Sequence, residues 1–212
     1  MRPVAALAFA LATFAVGIAP AGAARSPRLE TLAYRAPDTK LAQGAVIRRS
    51  DLAAGWTGGP IDSRDDDPPD CPWQDYSDFT ITGEAGSRFT QGVATVATQV
   101  EVFRTKAQAR GDFRVGTRSG TAGCEGRVLA KSIGHGTTLV SAKVVAPPSV
   151  GERATALRFV FKNGATRIYL DAVAFVRGRA VAVVSTFNTG RALGDVDVLA
   201  RLMDVRLQSN VA

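Results

Sequence analysis

The sequence predicts an α+β fold, a twisted antiparallel sheet with two main helices packed on it and one disulfide. Segments in which apolar and polar residues alternate occupy most of the second half of the chain, and one more lies in the first half. Two other segments have the apolar spacing of amphipathic helices. The chain has two cysteines, Cys71 and Cys124, which is the number needed for a single cross-link.

The first 24 residues have the composition of a secretory signal peptide. Arg2 supplies a short positive region, an uncharged apolar stretch runs from Val4 to Ile18, and small residues follow it. We expect cleavage near Ala23 or Ala24. An uncleaved anchor is the alternative, although the apolar stretch is short for a membrane span. No later stretch is long and apolar enough to cross a bilayer, so the mature chain is expected to be secreted, without a transmembrane segment.

After the signal peptide, we expect a mobile N-terminal segment at residues 25–43 and a single α+β domain at residues 44–212. The N-terminal segment contains prolines and shows no sustained apolar period. Residues 55–60 and 62–72 are predicted to be loops. Asp62, Asp65, Asp66, Asp67 and Asp70 lie in the second loop. These residues lack the alternating frame of an EF-hand, and whether they bind a cation stays open.

In the first half of the chain, residues 79–83 predict a short strand and residues 92–103 a longer one. Thr105 is placed to cap a helix over residues 106–120, whose buried side carries Ala109 and Phe113. Residues 127–133 are predicted to form a further strand.

The second half predicts an antiparallel meander followed by a helix. Asn163-Gly164 is the strongest turn signal, because both positions tolerate the positive φ of a type I′ hairpin, and Gly178 marks the next reversal. The strand candidates are residues 138–146, 154–162, 166–177 and 180–187. The C-terminal helix, residues 195–207, has an apolar side formed by Val198, Leu199, Leu202, Met203 and Val205.

Cys71 and Cys124 are predicted to be bonded to each other, because an even pair of cysteines in an exported chain is usually oxidised. The alternative is a free Cys124 nucleophile activated by His135, the only histidine.

The segment from Val100 to Cys124 resembles the extracytoplasmic domains of actinobacteria known as PknH-like sensor domains and LpqN-type secreted proteins. The shared pattern is a strand ending near Val-x-Phe, a Ser/Thr cap, a short helix with Ala and Phe, and then a Cys. Residues 170–179 are similar to a hairpin of these proteins that ends in Arg-Gly before an apolar strand. The resemblance covers roughly residues 52–207. It implies a sheet curved around a cleft, and binding or sensing rather than catalysis. The kinase-linked domains carry a second disulfide, which two cysteines cannot form.

The chain has a net charge of +7, which favours anionic neighbours such as lipid headgroups or wall polymers. Nucleic acid is not an expected partner of an exported protein. Lys106, Arg110, Arg114 and Arg118 recur every four residues and would form one stripe along a helix. We hypothesise that this stripe contacts an anionic surface, and an ordinary solvated helix face is the alternative.

The sequence contains no Gly-x-Ser-x-Gly, His-Glu-x-x-His or Walker motif, and one histidine makes a zinc site hard to build. We therefore expect no cofactor, no metal site and no recognisable catalytic residue. Trp56, Trp73 and Tyr76 are candidates to line a ligand groove, and packing beside the disulfide is the alternative.

The leading hypothesis is a secreted, non-catalytic, sensor-like binding protein of the cell envelope. Its ligand would be an apolar or amphiphilic small molecule or a wall component. The alternatives are a hydrolase acting on envelope polymers and a protein–protein interaction module. A hydrolase should bring carboxylates together in a cleft, a feature that leaves no local spacing in sequence. A binding protein of this kind is expected to have an apolar cleft with few titratable groups.

Overall fold

A computed structural model describes residues 29–62 and 71–211. The predicted signal peptide and residues 63–70 of the acidic loop lie outside the described residues. The elements in chain order are β1 (Thr31–Leu32), α1 (Ala36–Ala45), a 3-10 turn (Arg49–Asp51), β2 (Thr57–Ile61), β3 (Thr80–Gln91), β4 (Ala94–Phe103), α2 (Lys106–Gly116), α3 (Thr121–Ile133), β5 (Thr137–Val145), β6 (Arg153–Asn163), β7 (Thr166–Arg177), β8 (Ala180–Thr189) and α4 (Val196–Val211).

The described strands form one eight-stranded sheet in the order β1-β3-β4-β8-β7-β6-β5, and β2 also pairs with β3. All these pairings are antiparallel except that of β1, which runs parallel to β3 over two residue pairs. The α+β class is confirmed, with a sheet that is antiparallel apart from this short edge.

The two faces of the sheet carry different layers. Helices α1 and α4 cover one face, where Phe89, Phe175 and Met203 belong to the largest apolar cluster. Helices α2 and α3 cover the other face, each above a smaller cluster, one around Phe103 and one around Phe159. Because strand residues alternate between faces, each central strand contributes to both layers.

Helix α1 lies in the segment that the sequence led us to expect to be mobile, and that expectation does not hold for residues 36–43. Ala42 and Ala45 are fully buried, and Asp38 forms an ion pair with Arg179 in the β7–β8 turn. The backbone of β3 passes so close that a Cβ on Gly83 would overlap the carbonyl group of Asp38. The alanine-rich helix carries little apolar periodicity, which explains why the pattern did not predict it.

Four predicted elements of the first half also need correction. Residues 127–133, predicted as a strand, belong to helix α3, whose apolar side repeats at helical spacing through Ala122, Leu129 and Ile133. Helix α2 ends at Gly116 rather than at residue 120. The predicted loop at residues 55–60 contains most of edge strand β2, and β3 continues to Gln91, well beyond the short strand expected.

The meander agrees with the predicted strands to within a few residues. The β6–β7 hairpin is present, but its two-residue loop is Gly164-Ala165, one position later than predicted. Only Gly164 has a positive φ there, as in a type II′ turn rather than the predicted type I′. In α4, Leu199 and Met203 are buried as predicted, whereas Val198 and Val205 face solvent.

Candidate ligand-binding cavity

A cavity of about 550 Å³ lies between the sheet and helices α2 and α3, in the gap between the two smaller apolar clusters. This volume falls within the roughly 300–1,000 Å³ typical of small-molecule sites. The strand side chains in its wall share one face of the sheet, at alternate positions of β4, β6, β7 and β8. Its apolar lining residues include Leu129, Leu157, Phe159, Leu170, Ala172, Ala174, Val181 and Val183.

Small residues on β7 leave room for this cavity. Ala172 and Ala174 face it, whereas Val173 and Phe175, on the opposite face of the same strand, fill the core beneath α1 and α4. At other points α2 and α3 lie very close to side chains of the neighbouring segments. A Cβ on Gly111 of α2 would lie 2.7 Å from Phe79, and one on Gly126 of α3 would lie 2.8 Å from Leu139. The helices are thus held tightly at their contact points and leave a space between them.

The disulfide between Cys71 and Cys124 lies next to residues of the cavity wall. The bond, predicted from the sequence, joins the segment before β3 to the first turn of α3, with the two Cα atoms 6.0 Å apart. The same segment carries Tyr76 into the cavity wall. Because Cys124 is bonded, it cannot act as the thiol nucleophile considered above, and His135 is exposed in a turn.

Leucine side chains lie where the cavity meets solvent. Leu29 and Leu32 both line it, yet they remain 52% and 51% exposed. Such large apolar groups in contact with water at the edge of a cavity extend its apolar surface outward.

Five carboxyl groups face the cavity, and none of its described lining residues is Lys or Arg. They come from the N-terminal segment, β3, β4, α2 and α3, and are Glu30, Glu84, Glu101, Asp112 and Glu125. The local charge is therefore opposite in sign to the net charge of +7 carried by the whole chain.

Asp112 is the most confined of the five. It lies on the sheet side of α2 beside Phe113 and is 7% exposed. Its carboxyl group accepts no hydrogen bond from any described residue. Burial, together with the negative charge of Glu30, raises the pKa of Asp112 to about 8.

Glu101 and Glu84 are neighbours on adjacent strands and share one amide. Gln99 donates its Nε2 hydrogens to Glu101 at 2.9 Å and to Glu84 at 3.5 Å, and the hydroxyl of Tyr34 also donates to Glu84. Burial, and then the charges of Asp112, Glu30 and Glu84, raises the pKa of Glu101 well above its ordinary range. Burial likewise raises the pKa of Glu30.

Glu125 and Tyr76 lie on the side of the disulfide. Gln74 donates to Glu125 at 3.4 Å, but burial is the larger effect and raises the pKa of Glu125 to about 7. Burial and the neighbouring carboxyl groups, Asp112 first, raise the pKa of the Tyr76 phenol, which therefore stays protonated. At neutral pH the carboxyl groups of Asp112 and Glu125 are therefore partly protonated.

The three aromatic residues predicted to line one groove are separated. Tyr76 lies in the cavity wall. Trp73 packs near Gly120 at the start of α3, with its indole Nε1 3.5 Å from the hydroxyl of Thr121, and borders a shallow surface pocket instead. Trp56 packs against the core on the opposite face of the sheet.

The predicted basic stripe is exposed along its whole length. Lys106, Arg110 and Arg114 lie on α2, and Arg118 follows the end of that helix. Arg110 forms an ion pair with Glu152 at 2.7 Å. Arg114 and Arg118 border the shallow pocket next to Trp73.

The described residues contain no group of three or more His, Cys, Asp or Glu side chains arranged to hold a metal ion. Within the same ranges, no helix has both the length and the apolar character needed to cross a membrane. The acidic-loop residues, for which cation binding was left open, lie outside the described ranges apart from Asp62.

The cluster of five carboxyl groups could not be predicted from the sequence, because these groups come together only through tertiary structure. One local signal existed: Asp112 occupies the buried side of α2 between Ala109 and Phe113, where an apolar residue is expected. In β4, the polar face containing Gln99 and Glu101 has the appearance of an ordinary solvent-facing side, yet it forms the cavity wall.

No family model matches this chain, and no curated protein matches its sequence. Solved structures that are similar to it include two mycobacterial proteins. One is the extracellular domain of PknH from Mycobacterium tuberculosis, 14% identical, covering 81% of this chain and 96% of that domain with a TM-score of 0.57. The other is an uncharacterized protein of Mycobacterium smegmatis, an Rv0999 ortholog, 10% identical, covering 83% of this chain and 99% of that protein with a TM-score of 0.46. The resemblance noted in the sequence is confirmed at the level of structure: the chain has the fold of the PknH extracellular domain.

Proposed function

We propose that this protein is an extracytoplasmic, non-catalytic binding protein whose cavity takes an apolar or amphiphilic small ligand. The observation that carries the proposal is the cavity of about 550 Å³, with an apolar sheet face on one side and two helices on the other. Burying a ligand chain against Leu157, Leu170 and Val183 would remove apolar surface from water, at roughly 25 cal/mol for each Å².

Two further observations support an extracytoplasmic location. The disulfide between Cys71 and Cys124 requires an oxidising compartment, as an exported chain would meet. The structural neighbour with the higher TM-score is itself described as an extracellular domain. Export with cleavage near Ala23 or Ala24 is tested by sequencing the N-terminus of the protein recovered outside the cytoplasm.

The binding proposal is tested with an uncharged fluorescent probe, N-phenyl-1-naphthylamine, and a cavity-filling variant. The probe should brighten on binding the wild-type protein, and decanol should displace it. Ala172→Phe places a large side chain in the cavity and should abolish the signal. The matched control is Val144→Phe, at a strand position that is 70% exposed. Equal binding by both variants, or no binding by the wild type, would contradict the proposal.

A hydrolase acting on envelope polymers is the second candidate, favoured by the convergence of carboxyl groups with raised pKa values in one cavity. Paired carboxyl groups of different protonation states are the usual machinery of glycoside hydrolysis. The cavity does not meet the expectation of a binding cleft with few titratable groups, and its five carboxyl groups meet the one stated for a hydrolase. We place binding first because the apolar wall suits a hydrocarbon chain better than a sugar polymer. Release of soluble fragments from isolated cell wall by the wild type, but not by Asp112→Asn or Glu125→Gln, would replace the binding proposal with this one.

A further inference from the structure

The cavity wall combines apolar and acidic side chains. Apolar residues of β6, β7 and β8 line it, and so do the five carboxyl groups. An apolar ligand would cover these carboxyl groups without offering any of them a new charged or hydrogen-bonding partner, which costs free energy for each ionised group. The wall is therefore better matched to a ligand that has charge at one end.

Asp112 indicates the sign of that charge. Its carboxyl group is nine-tenths buried, lines the cavity and accepts no hydrogen bond from the described residues. Glu30, Glu84, Glu101 and Glu125 lie around the same space, with Tyr76 as the nearby phenol. An unpartnered carboxyl group surrounded by other carboxyl groups, with no lysine or arginine in the described lining, attracts a cation and repels an anion.

Resting on the proposed function, we infer that the ligand is a cationic amphiphile, with an ammonium group held by Asp112, Glu101 and Glu30 and a hydrocarbon portion on the sheet face. A metal ion fits less well, because the described carboxyl groups do not form a metal-binding cluster. An ammonium group needs no fixed coordination geometry and can lie among several carboxylates and the Tyr76 ring.

Binding of such a cation is coupled to proton release. Burial, with the charge of Glu30, raises the pKa of Asp112 to about 8, and burial raises that of Glu125 to about 7, so both groups are partly protonated at neutral pH. A positive head favours their ionised form, so each carboxyl group that ionises on binding gives one proton to the solvent. The charged groups that set this response are Glu30 from the N-terminal segment, Glu84 and Glu101 from the sheet, and Asp112 and Glu125 from the two helices.

The test compares decyltrimethylammonium with decanol, which have the same chain and differ in the charge of the head. The quaternary head does not titrate, so any pH dependence belongs to the protein. Calorimetry in two buffers of different ionisation enthalpy measures the protons released. We expect the ammonium compound to bind at least about tenfold more tightly than decanol near neutral pH. We also expect it to release protons and to bind more tightly as the pH rises.

Two variants assign the effect to the carboxyl groups. Asp112→Asn should reduce both the preference for the ammonium compound over decanol and the number of protons released. A cooperative melting transition shows that the variant is folded. Asp195→Asn makes the same change at an exposed position before α4, and it should alter neither the binding of the ammonium compound nor the proton release.

The outcomes separate the two claims. If both ligands bind equally, or if the ammonium compound binds without proton release, the inference is overturned and the binding proposal stands. If neither ligand binds to the wild type, the proposed function fails, and the inference fails with it.

Discussion

At the scale of single residues, Asp112 is where stability conflicts with the proposed binding role. A carboxyl group that is 7% exposed and accepts no hydrogen bond from the described residues disfavours the folded state whenever it is ionised. By contrast, the equally buried Asp38 receives hydrogen bonds from Arg179, which lower its pKa, so its charge stabilises the fold. Unpartnered buried charges of the first kind are concentrated at functional sites.

This conflict predicts a pH-dependent gain in stability from Asp112→Asn. In the unfolded chain an aspartate titrates near about pH 4, whereas in the fold the pKa of Asp112 is about 8. The folded protein therefore holds an extra proton between these values, and its stability falls as the pH rises through that range. Asparagine stays neutral throughout. The melting temperature of the variant should match that of the wild type in acid and exceed it by several degrees in mild alkali. A difference in melting temperature that does not change with pH would contradict this explanation.

At the scale of elements, helix α1 depends on one close backbone contact. Gly83 of β3 lets the chain at Asp38 pass where no side chain would fit, and the ion pair between Asp38 and Arg179 lies at the same point. The helix then buries Ala42 and Ala45 against the sheet and α4.

Gly83→Ala should therefore destabilise the protein. Its new methyl group would meet backbone rather than a movable side chain, so we expect a loss of about 1–3 kcal/mol in the free energy of unfolding. Gly59→Ala in β2 is the control, because nothing lies within 4 Å of its added Cβ. Urea denaturation of both variants measures the difference, and similar midpoints for the two would mean that α1 adjusts freely.

The basic stripe remains a prediction for the surface of α2. Because Arg110 forms an ion pair with Glu152, the residues to substitute are Lys106, Arg114 and Arg118. We expect salt-sensitive co-sedimentation of the wild type with anionic vesicles, which should be lost when these three residues become Gln. Sedimentation that is insensitive to both salt and the substitutions would leave the stripe as an ordinary solvated surface.

Sequence patterns predicted those elements whose signal is local. The strands β6 to β8 alternate regularly, and glycine begins the loops at Gly164 and Gly178, so the meander followed from the residues alone. Helix α3 was misassigned because Val128-Leu129-Ala130 suits a strand as well as a helix, and only its packing on the sheet decides. The candidate site escaped prediction because its carboxyl groups are far apart in sequence and meet only after the sheet and helices assemble.

At the scale of the whole molecule, charge is segregated. The chain carries a net charge of +7, yet the cavity concentrates five acidic residues and excludes basic ones from its described lining. The apolar clusters under α2 and α3 flank the cavity. The larger cluster beneath α1 and α4 packs on the opposite face of the sheet.

The disulfide, which is itself buried, stabilises this arrangement without belonging to any of the three apolar clusters. Replacing Cys71 and Cys124 by Ser should cost about 2–5 kcal/mol of stability, because the bond closes a long loop. It should also weaken ligand binding beyond the effect on stability, because Tyr76 and the start of α3 would lose their link. Denaturant titration with and without decyltrimethylammonium separates the loss of stability from the loss of affinity. Unchanged affinity in the folded variant would contradict the predicted effect on binding.

The most direct test of the central claim is a methyl NMR titration of the protein with decyltrimethylammonium. We predict that the methyl signals of Leu157, Leu170 and Val183, on the cavity face, shift on binding. Those of Val173, Val184 and Leu207, in the core on the opposite face, should stay in place. Saturable shifts confined to the cavity methyl groups would support a binding cavity between the sheet and helices α2 and α3. Shifts confined to other surfaces, or none at all, would contradict it.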